Sequence, residues 1–119
     1  MGLDQYAYIN TDDEAREPDF YWRKHARLQE WAERLFAEKT GGSARELNCG
    51  ELPLNQDDIA ALEGLLTGQG LPTSEGGFFY GHQLQEERAE AYAAQDAAFC
   101  EWAKRMLSDG QIVIYSCWW

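Results

Sequence analysis

The closing stretch QIVIYSCWW, Gln111 to Trp119, decides how the rest of the chain must be arranged. Its β-branched and aromatic residues suit a pleated, packed surface. Apolar residues fall at consecutive positions, the pattern of a strand lying inside a sheet and not at a solvated margin. Strand residues alternate faces, so Ile112, Ile114, Ser116 and Trp118 point one way, and Val113, Tyr115, Cys117 and Trp119 the other. The two terminal tryptophans therefore need different cover. One is expected to seal a helix-packed core; the other packs on a second surface or serves as an anchor for a partner, with Trp119 the candidate.

Such a strand needs a partner and a helical layer, and the sequence offers both. Residues 2–9 read as a strand, with Tyr6 and Tyr8 sharing a face. From Asp19 to Lys39 the spacing of Tyr21, His25, Leu28, Ala32 and Leu35 predicts a helix, ended by Gly41 and Gly42. In LPLNQDDIAALEGLLTGQG, Asn55 is a good N-cap, and Asp57 and Asp58 suit the positive end of the helix dipole. Leu54 and Ile59 form a hydrophobic staple there. Residues 84–108 read as one long helix, acidic in its first turns and basic in its last. Between the last two helices, Phe78, Phe79 and Tyr80 stand bracketed by glycines, as a short inner strand or as a loop packed over a pocket. The expectation is one α+β domain over residues 1–119: three helices on a small, mainly antiparallel sheet that includes the N- and C-terminal strands.

Composition narrows the function classes. The 119 residues carry 21 acidic and 10 basic groups, a formal charge of −11. A field of that sign repels nucleic acid and anionic membrane, so direct contact with either is not expected. No apolar run is long enough to span a bilayer. The start MGLDQYAYIN has neither a basic n-region nor an apolar h-region, which sets the expectation of a cytosolic protein. Cys49, Cys100 and Cys117, odd in number and widely spaced, suit reduced thiols. The charge is also uneven. Between Glu46 and Glu87 there is no Lys or Arg, but there are Glu46, Glu51, Asp57, Asp58, Glu63, Glu75, Glu86 and Glu87. These acids, with Trp119, are the candidate partner-binding residues.

Motifs for chemistry are sparse. No C-x-x-C or H-x-x-x-H is present, so neither a metal nor another cofactor is expected. Cys49 would need His25 or His82 brought close by folding as its base, and acidic surroundings make a thiol less reactive. GLLTGQG lacks the lysine of a phosphate-binding loop. No catalytic residue is assigned, and the balance leans away from an enzyme. If a small-molecule pocket exists, its candidate lining is Tyr6, Tyr8, Asn48, Cys49, Glu51, Phe78, Phe79, Tyr80 and His82, aromatic walls with a few polar groups.

Several fragments fit together in order: MGLD-x-Y-x-Y at the start, YWRK at residues 21–24, NCGE at 48–51, LPTSEGGFFYG at 71–81 and the aromatic C-terminal strand. The series resembles a family of small uncharacterised proteins of tailed bacteriophages and prophages. That resemblance implies a phage product acting in the cytoplasm of an infected bacterium. Some members carry the label phosphoglycerate kinase, but such a kinase needs two domains and nucleotide and phosphate sites that 119 acidic residues do not provide. The expectation is an acidic interaction protein that binds and modulates or inhibits a host protein with a basic surface. A nucleic-acid-handling or defence factor, engaged through charge mimicry, is the natural target. The alternatives are a small-molecule-binding protein or enzyme, and a minor virion or assembly component.

Overall fold

The structure, a computed structural model, describes residues 3–11, 17–73 and 85–119. In chain order these form β1 (Asp4–Ile9), β2 (Phe20–Arg23), α1 (Ala26–Thr40), α2 (Ala44–Leu47), β3 (Glu51–Leu54), α3 (Gln56–Thr67), α4 (Gln85–Ala91), α5 (Ala93–Ser108) and β4 (Val113–Trp118). The strands make one antiparallel sheet in the order β2-β1-β4-β3. The fold is α+β, and the two strands nearest the chain ends lie at its centre. The apolar run of residues 112–119 is explained by that position, since β4 has a strand on each side.

One face of the sheet meets the helices. Ala7, Trp22, Leu52, Leu54, Val113, Tyr115 and Cys117 share a buried cluster with Leu28, Trp31, Ala32 and Phe36 of α1, Ile59 and Leu62 of α3, and Phe99, Cys100 and Ala103 of α5. Trp22 and Phe99 meet edge to face at 5.4 Å, and Phe20 stands over Phe99 at 5.5 Å. Rings crossing in this way fill the layer densely and add to the burial of their area.

Helix boundaries follow local chemistry. The Asn55 side chain accepts from Asp58 N, and the Asp58 carboxylate accepts from Asn55 N, a complete capping box. Gly41 ends α1 in the left-handed region at φ 74°, its N–H returning to Ala37 O.

Two expectations are corrected, and one strand is added. Tyr21 to Lys24 do not open a helix; Phe20–Arg23 is strand β2, paired with β1, and Lys24 turns the corner at φ 55° before α1 starts at Ala26. Aromatic residues at alternate positions serve a strand as well as a helix, and pairing with β1 decides the case. The long C-terminal helix is divided at Tyr92 into α4 and α5. ELPL forms edge strand β3, the one kind of strand that accepts proline. The Gly-bracketed Phe78–Tyr80, with Glu75 and His82, lies outside the described residues.

Candidate functional site

The second face of the sheet is where the exposed large side chains gather. Alternation along the strands places Tyr21 and Arg23 of β2, Asp4, Tyr6 and Tyr8 of β1, Ile114, Ser116 and Trp118 of β4, and Glu51 and Pro53 of β3 on it. The described helices pack on the opposite face. Register sets these residues in rows. Asp4 lies between Arg23 and Trp118, Tyr6 lies between Tyr21 and Ser116, and Ser116 has Glu51 on its other side. Trp118 is 58% exposed and Tyr21 46%.

Two carboxylates on this face are held by phenols. Tyr21 Oη donates to Asp4 Oδ1 at 2.6 Å, and Tyr8 Oη donates to Glu51 Oε2 at 2.8 Å. Arg23 approaches Asp4 only to 3.8 Å. The Tyr6 and Tyr21 rings are 5.5 Å apart. Burial, followed by its hydrogen bond to Glu51, pushes the Tyr8 phenol up to about 12. The bond to Asp4 raises Tyr21, and burial raises Tyr6. A phenol that keeps its proton keeps donating, so both carboxylates stay oriented across neutral pH.

The NCGE segment proves to be a clip for the chain end. Asn48 Oδ1 accepts from Trp119 N at 3.0 Å, and Cys49 N donates to Cys117 O at 2.8 Å. Cys49 sits at φ 63°, exposed, with Asn48 Oδ1 as its thiol's acceptor at 3.7 Å. Gly50 is required here because a Cβ would come within 2.8 Å of Glu46 O. Held in this way, Trp119 packs against the core, and the exposed indole is that of Trp118. The candidate anchor therefore moves by one residue, because Trp119 continues the inner-face alternation of Tyr115 and Cys117.

The acids between Glu46 and Glu87 are less isolated in space than in sequence. Lys39 reaches Asp58, Lys104 reaches Glu63 at 2.8 Å, and Arg27 reaches Glu86 at 3.4 Å. Each pair ties two helices together. Glu46, Asp57 and Glu87 are exposed and have no ion pair among the described residues; Glu51 belongs to the outer sheet face.

The core holds a polar chain that periodicity does not reveal. Asp96 on α5 accepts from Trp22 Nε1 at 2.9 Å and lies 2.8 Å from His25 Nε2. A carboxylate only accepts, so Nε2 carries the hydrogen, while the buried Nδ1 has no hydrogen-bond partner among the described residues. Beside it, Gln5 Nε2 donates to Tyr115 Oη at 2.9 Å, and Tyr115 Oη donates to Gln29 Oε1 at 2.6 Å. Gln5 also clasps the backbone of His25 through both amide atoms. His25 is fully buried, whereas Cys49 is exposed.

A cleft of about 490 Å³ lies between α1, α3 and residues 69–73, walled by Trp31, Leu35, Leu65 and Leu71 with Arg27 and Arg34. A smaller one of about 240 Å³ reaches Asp96. Neither includes Tyr6, Tyr8, Cys49 or Glu51. Among the described residues no group of His, Cys, Asp and Glu is placed to hold a metal ion, and no helix is long and apolar enough to cross a membrane. Comparison with family models, with curated proteins and with solved structures returns no match.

Of the sequence candidates, the fold brings Tyr6, Tyr8 and Glu51 onto one face and sets Asn48 and Cys49 at its margin. Asp4, Tyr21, Arg23 and Trp118 join them unforeseen. The available signal was the alternation in FYWR, which places Tyr21 and Arg23 opposite the buried Trp22.

Proposed function

We propose that this is an acidic, phage-encoded interaction protein that binds and modulates or inhibits a host protein in the cytoplasm of the infected bacterium, using the outer face of its sheet. The observation that carries this reading is that face itself: a half-exposed indole and phenol set among carboxylates that their own phenols hold in place. Rigid aromatic side chains lose little entropy on binding and are the usual anchors of interfaces. The overall charge of −11 favours a partner with a basic surface and speeds its approach. Charge mimicry of nucleic acid by the whole acidic stretch has less support, since Asp58, Glu63 and Glu86 are already ion-paired.

Affinity capture from infected cells tests this, with the parent chain and a Trp118→Ala/Tyr21→Ala variant side by side. Both substitutions are at exposed sites, so the variant keeps its circular dichroism and melts close to the parent. The expected result is a basic host protein retained by the parent and lost by the variant. Equal capture by both would overturn the assignment of the surface.

A further inference from the structure

Resting on the outer-face reading above, we infer that this face takes an extended protein segment carrying two basic side chains four residues apart, one held by Asp4 with Trp118 at its side and the other held by Glu51. The choice of face over edge comes from the sheet margins, where several outward backbone groups are already taken. On β2, Gln95 Nε2 donates to Tyr21 O at 2.6 Å, and Arg23 N donates to Tyr92 Oη at 2.9 Å. On β3, Pro53 has no N–H, and its carbonyl accepts from Lys39 Nζ at 2.8 Å. A segment bound here must therefore recognise side chains, because the strand edges offer few free backbone groups.

The side chains select a cation. Each carboxylate uses one oxygen for its phenol, and Asp4 Oδ2 and Glu51 Oε1 have no hydrogen-bond partner among the described residues. Trp118 is directly across the strand pair from Asp4, so a guanidinium or ammonium over its ring gains both cation–π attraction and a carboxylate. The phenol clamps hold both acceptors in one orientation before binding, which lowers the ordering cost. Arg23, 57% exposed and 3.8 Å from Asp4, is a weak competitor that an incoming arginine displaces.

The register sets the spacing. Glu51 lies two strands across from Asp4 and two residues along, about 12 Å at the usual strand separation and rise. An extended segment places residues i and i+4 on one face about 13 Å apart. Shorter same-face spacing, i and i+2, reaches only about 7 Å.

The test is titration of synthetic Gly-Ser peptides holding two arginines four, two or one residues apart, followed by calorimetry at low salt. The expected result is strongest binding at spacing four, weakened about tenfold by Trp118→Ala and about tenfold by Asp4→Asn/Glu51→Gln, and strengthened by Arg23→Gln. Equal affinity at all spacings, or binding unmoved by Asp4→Asn/Glu51→Gln, overturns the inference. If no peptide binds while capture from cells still depends on Trp118, the outer face remains the binding surface and the cationic segment is refuted. If the peptides bind as expected but cellular capture ignores Trp118, the cation site stands and the proposed function falls.

Discussion

Replacing Asp96 with alanine should cost about 4 kcal/mol of stability. The carboxylate is 2% exposed and joins three elements, accepting from Trp22 on β2 and His25 at the start of α1 while standing on α5. Its removal leaves two fully buried donors without an acceptor, each worth about 1–3 kcal/mol. Relief of the buried charge's own desolvation offsets part of that. The total is a large fraction of the roughly 5–15 kcal/mol that holds a domain of this size together. Asp96→Asn keeps one carbonyl for one of the two donors and should lose about half as much. Urea unfolding followed by tryptophan fluorescence measures both, with the m-value unchanged if the native state is intact. A Trp22→Phe background removes one of the two donors, so Asp96→Ala should cost about 1–2 kcal/mol less there than in the parent. A loss below about 1 kcal/mol for Asp96→Ala, or strict additivity with Trp22→Phe, would refute the claim that this carboxylate is the joint between the layers.

Thiol chemistry separates the cysteines: at pH 8 an aromatic disulfide reagent should label Cys49 alone, the other two reacting only in denaturant, because Cys100 and Cys117 are buried. Rapid labelling of a second thiol in the native chain would contradict the core packing. Burial pushes Cys100 and Cys117 up to about 12 from 9.0. The unfolded chain therefore loses these protons first, and the stability they contribute, fully present below pH 9, falls between pH 9 and 12 by about 1.4 kcal/mol per pH unit for each thiol. Cys117→Ala should remove one such contribution from the slope; an unchanged slope would count against it. Asn55→Ala removes the cap of α3 and should cost about 1 kcal/mol, and Asn55→Gly less, measured as shifts in the melting temperature; no shift for alanine would mean the capping box is redundant.

The outer face was only half legible in the sequence. Tyr6 and Tyr8 stand out in the sequence only as lining for a pocket with Phe78–Tyr80, Glu51 both for that pocket and among the partner-binding acids, and Asn48 goes with the pocket although it clips Trp119. What joins the outer-face residues is register: β1 and β4 are adjacent only because residues more than 100 positions apart pair. The acidic run shows the same limit. Its lack of basic residues is a fact of the chain, but Lys39, Lys104 and Arg27 come from other segments to meet Asp58, Glu63 and Glu86.

What the sequence determined by itself is the local chemistry. Asn55 and Asp58 make a capping box from four consecutive residues, Gly41 supplies a left-handed stop, and the apolar run in QIVIYSCWW demands neighbours on both sides. The first two depend on contacts within a few positions, which sequence order already specifies, and the third on composition alone, which leaves open which strands the neighbours are. Only the tertiary structure decided that FYWR is a strand, that ELPL can be one at an edge, and that a carboxylate on α5 serves β2 and α1. It also decided that Trp118 is exposed while Trp119 is packed. In each of these cases two local conformations or faces differ little in energy, and contacts with distant segments tip the balance.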